Sequence, residues 1–296
     1  MSAFLALVAD VPRRMRTSWI SWILIVIMLG LLALFVAPLG VKTDSAGEAF
    51  LTYFANDTRP PPNSGIAALS MHESLEQYIG QFFGLAIASY CGVFAGLIFL
   101  SDAVTSAFAP GQAELNLPKP VHRATIVLAR HVGALVVATF FAVLLIGSAV
   151  GLAFLRTGIV VWKPFVFVPA SVAMFGMLHA FGTIAGVGIQ NALLAAFASV
   201  GVWLLSIVTK LPEWIPMLDK IQYPLLQWVV KGVRIGHRVL PRPIDVPPLA
   251  ARILEKKFAE GGDFTTASEL ELIGNTLGWW ALGLVLAVLV VRKRDF

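Results

Sequence analysis

The chain has 296 residues, 58% hydrophobic and only 13% charged, against about 25% charged in a soluble globular domain. Its mean hydropathy is +0.82, and a single cysteine, Cys91, excludes a disulfide framework and a multi-cysteine metal centre. The net charge of +5 is no nucleic-acid signal, because the basic residues stand at the edges of apolar blocks, where Lys and Arg orient membrane spans and meet anionic headgroups.

In chain order the apolar blocks predict an all-α membrane protein of six spans, forming one transmembrane domain over residues 1–296. Ala3 to Val11 is short and apolar on one side, and reads as an elbow helix lying along the membrane surface. Residues 17–41 carry no charge after Arg13, Arg14 and Arg16. That run is longer than the apolar core of a signal peptide, so it reads as a retained first span. The second span covers about 78–100, with Ser70-Met71-His72-Glu73 offering a capping box ahead of it. The third covers about 131–155, between Arg130 and Arg156.

Residues 164–209 contain no Asp, Glu, Lys or Arg. One helix of that length reaches about 69 Å, over twice the hydrocarbon core of about 30 Å. The block therefore folds back at its most polar point, Gln190-Asn191, giving spans at about 164–188 and 193–209. The sixth span covers about 272–291, with a second capping box at Thr266-Ala267-Ser268-Glu269 and a closing Arg292-Lys293-Arg294. Cys91 reads as a small packed core residue.

Six spans put both termini on one side. Nine Lys/Arg then face the cytoplasm and four face the opposite short loops, as the positive-inside rule requires. The expected location is the cell's inner (plasma) membrane, multi-pass, with both termini cytoplasmic. The outer segment 210–271 carries nine Lys/Arg of its own, and segments that long translocate largely regardless of charge. Within it, Ile221, Leu225, Leu226, Val229, Val230 and Val233 recur at helical spacing opposite Lys220, Gln227, Lys231, Arg234 and Arg238. This amphipathic helix either rests on headgroups or forms an outer lid over a path. Pro241-Arg242-Pro243 and Pro247-Pro248 are expected to end it, and a short amphipathic piece, Leu249 to Phe258, follows.

Three Gly-x-x-x-Gly pairs lie inside spans: Gly92/Gly96, Gly147/Gly151 and Gly182/Gly186. Such pairs let helix backbones approach closely, with chance occurrence in apolar sequence the plain alternative. Catalytic signals are missing. No G-x-x-x-x-G-K-[ST] loop, H-E-x-x-H pair or G-x-S-x-G elbow occurs, so the chain is expected to be no enzyme and to bind no cofactor or metal. His179 sits deep in a span and reads as a proton or metal group, or more simply as a hydrogen-bonded structural residue. No carboxylate falls within a span, which disfavours an ion-coupled carrier.

The 101–130 loop between spans two and three is the most informative stretch. Val104 and Phe108 share one face of a short helix, Gly111 permits a reversal, Leu115 and Leu117 are apolar where water is expected, and Pro118 and Pro120 stiffen the return. Such a loop is either a docking surface or an ordinary amphipathic loop folded onto its own helices.

The run from Asp102 through Gly111, Glu114, Leu115, Leu117, Lys119, Pro120, Val121 and Arg123 into Ile126-Val127-Leu128-Ala129-Arg130 and Gly133 resembles the permease subunits of type-2 ABC exporters. The Arg292-Lys293-Arg294-Asp295-Phe296 ending, the six spans, the elbow helix and the long outer segment agree with that family's layout. Gln112 stands where the family carries Thr, and Asn116 breaks its double Leu. The resemblance implies a homodimer of permease chains, each bound to a separate ABC ATPase subunit that carries the ATP. It makes Asp102 to Leu117 a cytoplasmic coupling helix, with Phe108, Gly111, Glu114, Leu115 and Leu117 in the ATPase groove and Lys119 and Arg123 near acidic residues or headgroups. A translocation path then lies between the two chains, lined by spans one, two and five. Two other classes stay open: a stand-alone carrier or channel, and a membrane anchor that recruits soluble partners.

Overall fold

The computed structural model describes residues 3–17, 19–36, 38–43, 49–53, 56–57, 71–108, 122–215, 223–256 and 267–293. Helix α1 spans Ala3–Thr17 and α2 spans Trp19–Val36. Strands β1 (Leu39–Thr43), β2 (Ala49–Tyr53) and β3 (Asn56–Asp57) follow as an antiparallel sheet in sequence order, with Leu39 opposite Tyr53 and Thr43 opposite Ala49. The long helices are α3 (Met71–Phe108), α4 (Arg123–Thr157), α5 (Lys163–Ile189) and α6 (Ala192–Trp214). Two shorter helices, α7 (Pro224–Val239) and α8 (Val246–Lys256), precede α9 (Ala267–Lys293).

Among the described residues, five helices qualify as long and apolar enough to cross a membrane: α3, α4, α5, α6 and α9 within Glu269–Lys293. The protein is thus an all-α, multi-pass membrane protein by length and composition. Many large apolar side chains point outward, among them Phe140, Leu155, Phe197 and Leu204. In water this arrangement is unfavourable; in hydrocarbon it costs nothing, because lipid is as apolar as the side chain.

The apolar block at 17–41 ends earlier than its charge pattern suggests. Val36 closes α2, and β1 begins at Leu39. Pro38 has no N–H to continue a helical ladder. Gly40 lies against Thr52 of β2, whose Oγ1 would stand 2.9 Å from a Cβ at that position.

The predicted hairpin turn is where the sequence puts it. Gln190 adopts φ 58°, the left-handed conformation that closes helices, and its N–H donates to Gly186 O at 2.7 Å. Asn191 then caps α6, its Oδ1 accepting from Leu193 N at 2.9 Å and Leu194 N at 3.2 Å.

The outer segment departs from the expectation. Pro247 and Pro248 do not end a helix; they lie in the first turn of α8, where the missing N–H is no loss. Nor does α8 rest on a surface. Val246, Leu249, Ala250 and Ala251 are buried, and Ala250 and Ala251 join the core built by Phe83, Ile146 and Phe167. Helix α7 keeps Trp228, Val229, Ile235 and Val239 exposed, an apolar stripe suited to an interface.

Within α3, residues Ile79–Gly92 take the wider π register. Phe167 of α5 lies against Gly84 there, where a Cβ would fall 2.2 Å from its ring.

Candidate functional site

Buried polar clusters, of which three are taken in turn, and two cavities concentrate the chemistry of the fold. The first is a clasp at the end of the bundle where α1, the last turn of α3 and the first turns of α4 meet. Arg130 is 2% exposed although it lies seven residues inside α4. Its Nη2 donates to Asp10 Oδ2 of α1 at 2.8 Å, and its Nη1 donates to the backbone O of Ala103 at 3.1 Å and to Ser106 Oγ at 3.5 Å. Arg14 shares the same carboxylate at 2.9 Å and reaches Ser106 Oγ at 3.3 Å. A buried guanidinium needs such pairing, since a charge taken out of water without partners costs several kcal/mol or more. Gly133, one turn further on, lets α1 lie flat on α4; a Cβ there would sit 2.7 Å from Val8 O.

The root of the 101–130 loop is folded into this clasp. Asp102 is exposed, and its Oδ1 accepts from Thr105 Oγ1 at 3.3 Å. Phe108, expected to project into a partner, is instead 1% exposed and packs with Val104, Ala107, Ile126, Val187, Ala287 and Val291. An apolar ring at a helix end reaches the nearest dry surface, and here that surface is the chain's own. Arg123 opens α4 half-buried. Gly111, Glu114, Leu115, Leu117, Lys119 and Pro120 lie outside the described residues.

The second arrangement is a hydrogen-bonded row across the bundle interior. His179 Nε2 is 3.1 Å from Leu100 O, His179 Nδ1 is 2.9 Å from His131 Nδ1, and Trp280 Nε1 is 2.9 Å from His131 Nε2. The ends fix every proton. A carbonyl only accepts, so His179 Nε2–H donates to Leu100 O and its Nδ1 accepts. His131 Nδ1–H therefore donates to His179, and its Nε2 accepts from the indole N–H, which only donates. Both histidines are neutral, and the row ties α3, α4, α5 and α9 together. Gly176 makes room for it, since a Cβ there would meet the Trp280 ring at 2.5 Å. His179 is thus hydrogen-bonded through both ring nitrogens.

The third arrangement lies at the opposite end. Lys210 of α6 and His237 of α7 both pair with Asp245, His237 Nε2 at 3.0 Å. Thr209 Oγ1 lies 3.1 Å from His237 Nδ1. Burial pushes the imidazole below its ordinary value of 6.5, Lys210 and Arg242 adding to that and Glu213 opposing it. His237 Nε2–H donates to Asp245, while the Thr209 hydroxyl beside Nδ1 donates its own proton to Ser206 O at 3.0 Å. Thr209 is buried.

Between α2, α3, α4 and α5 lies a cavity of about 210 Å³, walled by residues such as Ile27, Ala95, Phe99, Ala142 and Phe175. Cys91 is exposed and opens on this cavity, so it is no packed core residue. A second cavity of about 200 Å³ lies under α8, against α5 and α9.

Of the three glycine pairs, Gly182/Gly186 sits at a close helix contact. A Cβ at Gly182 would fall 2.8 Å from Ala195 O, and one at Gly186 2.1 Å from Thr105 Cγ2. Gly96 touches Phe175 at ordinary range, and Gly92 faces only Ile87 O of its own helix, at 3.2 Å. Gly147 meets one ring atom at 3.8 Å, and Gly151 has nothing within 4 Å. Among the described residues no group of three or more His, Cys, Asp or Glu is placed to hold a metal. The chain matches no protein-family model, and no curated protein matches it.

Proposed function

We propose that this chain is the membrane-spanning permease subunit of an ATP-driven ABC exporter, coupled to a separate ATPase chain through the 101–130 loop. The observation that carries this reading is the Arg130 clasp. It joins the elbow helix, the end of span two and the start of span three into one body at the root of the loop. A push delivered to that loop by a nucleotide-driven partner reaches α3 and α4 together, with Phe108 as the buried footing.

Six spans are supported by parity. Leu7 of α1 packs in the same cluster as Ala287 and Val291 at the end of α9, so both terminal elements share one end of the bundle. Five crossings alone would separate them. Helix α2 has 18 residues and no charge, and at 1.5 Å per residue it covers about 27 Å, close to the hydrocarbon core of about 30 Å. Its last residue, Val36, joins the core at the opposite end with Leu39 and Leu75. Both termini are then cytoplasmic in an inner (plasma) membrane. Two such chains pair as a homodimer, and ATP is bound by the ATPase alone.

The test is co-purification. The chain is co-expressed with the ABC ATPase encoded nearest to it, beside a Leu117→Arg variant. Recovery of the ATPase with the wild type and its loss with the variant is the expected result. A stable oligomer that never retains the ATPase, and that transports in liposomes alone, would replace this reading with a stand-alone carrier or channel.

A further inference from the structure

We propose that the cavity between α2, α3, α4 and α5 holds one acyl chain of a bilayer phospholipid, with its headgroup beside the basic end of α1. Occupancy by a lipid chain requires no ATPase partner, so this inference and the exporter reading fail separately.

The first ground is chemistry. No charged side chain lines the cavity, and its one hydroxyl, Ser171, is already bonded to Ser89 at 3.0 Å, which in turn donates to Gly84 O at 2.8 Å. A water needs two to four polar partners, and an apolar cavity of comparable size stays dry and takes an apolar guest. A polar cargo finds nothing here to replace its hydration.

The second ground is shape and depth. The lining runs from Ala138 to Leu145 on α4, about 10 Å of helical rise, and from Leu100 back to Ile87 on α3. It is a slot along the bundle, inside helices that are long and apolar enough to cross the membrane. Hydrocarbon is the solvent at that depth. The slot exists because its walls are small: Ala88, Gly92, Ala95, Gly96, Ala138 and Ala142. A void costs packing energy in proportion to its volume, so these residues leave a space that a flexible chain fills.

The third ground is the mouth. Met15 of α1 lines the cavity at one end. Arg16 follows it on the same turn of α1 and is exposed, and a cationic turn at the membrane surface attracts a lipid phosphate. A basic turn of α1 next to a lining residue, and no charge in the slot itself, is the pattern of a phospholipid.

The experiment uses the full chain in nanodiscs containing a phospholipid with a diazirine in one acyl chain. After photolysis, the attached residues are mapped by mass spectrometry. The expected result is attachment to wall residues such as Cys91, Ala95 and Ala142, lost in Ala95→Phe, while attachment to the outward-facing Phe140 and Leu155 persists. That persistence shows that the variant is folded. A second measurement needs no variant. The wild-type chain in detergent reacts with N-ethylmaleimide at Cys91, its only cysteine, and added phospholipid is expected to slow that reaction. Wall residues left unlabelled beside labelled Phe140, wall labelling unchanged in Ala95→Phe, or a Cys91 rate indifferent to phospholipid would each overturn the proposal. Wall labelling by a diazirine fatty acid but not by the phospholipid would overturn it as well, in favour of a single-chain amphiphile.

Discussion

The Nδ1 atoms of His131 and His179 lie 2.9 Å apart, and the space between them admits one proton. Replacing His131 by Phe leaves the Trp280 N–H and the His179 Nδ1 without partners, and replacing His179 by Phe leaves Leu100 O and the His131 N–H without theirs. Each orphaned buried group costs about 1–3 kcal/mol. The double variant orphans only Trp280 and Leu100. The single variants orphan four groups between them and the double only two, so its loss in thermal stability in detergent is expected to be smaller than the sum of the single losses by two such groups, about 2–6 kcal/mol. Additive losses would show that the row is not a connected unit.

The Asp10–Arg130 clasp makes a different prediction. Asp10→Ala strands a guanidinium that is 2% exposed, and breaking a buried pair from one side costs about 3–5 kcal/mol. Asp10 has a third of its side chain in contact with the surroundings, so the low end, about 3 kcal/mol, is expected. The loss should exceed that of Arg14→Ala, whose side chain is 45% exposed. Unfolding midpoints of the two purified variants decide it.

The glycines separate by position. Gly186→Ala drives a methyl into Thr105 and Ala195, an overpacking that costs about 1–3 kcal/mol. Gly151→Ala meets open space and gains up to about 1 kcal/mol of helix propensity. Opposite signs in a thermal shift assay are expected; a loss at both positions would place a partner surface over Gly151.

The His237–Asp245 pair predicts a pH dependence. Burial lowers the folded-state pKa of His237 below 6.5. Between that lowered value and 6.5 the unfolded chain holds a proton that the folded chain does not. Stability is therefore complete above 6.5 and falls as pH drops below it. His237→Gln removes the titrating group, so its curve should be flatter than wild type on the acid side. Parallel curves would assign the acid sensitivity elsewhere.

Much of the bundle is legible in the sequence because charge marks helix ends in a bilayer. The blocks at 78–100, 131–155, 164–188, 193–209 and 272–291 all fall inside helices, and Gln190-Asn191 is the turn. Charge patterning fails where other physics governs. Pro38, not a charge, limits α2. Arg130 looks like a boundary residue and is an interior one, because its partner Asp10 is 120 residues away and no local pattern announces it. The row through Trp280 depends on Gly176 being small, a contact between α5 and α9 that periodicity does not encode. The resemblance implies that Phe108 fills a partner's groove, whereas in the fold its ring is buried in the chain's own apolar cluster.

The 120 residues between Asp10 and Arg130 also set an order of events during synthesis. Helix α1 leaves the ribosome first, but the guanidinium it pairs with is not made until α2 and α3 have emerged. Until then Asp10 has only Arg14, one turn away, to balance it. The contact that docks α1 onto α4 through this pair therefore cannot form before α4 has been made.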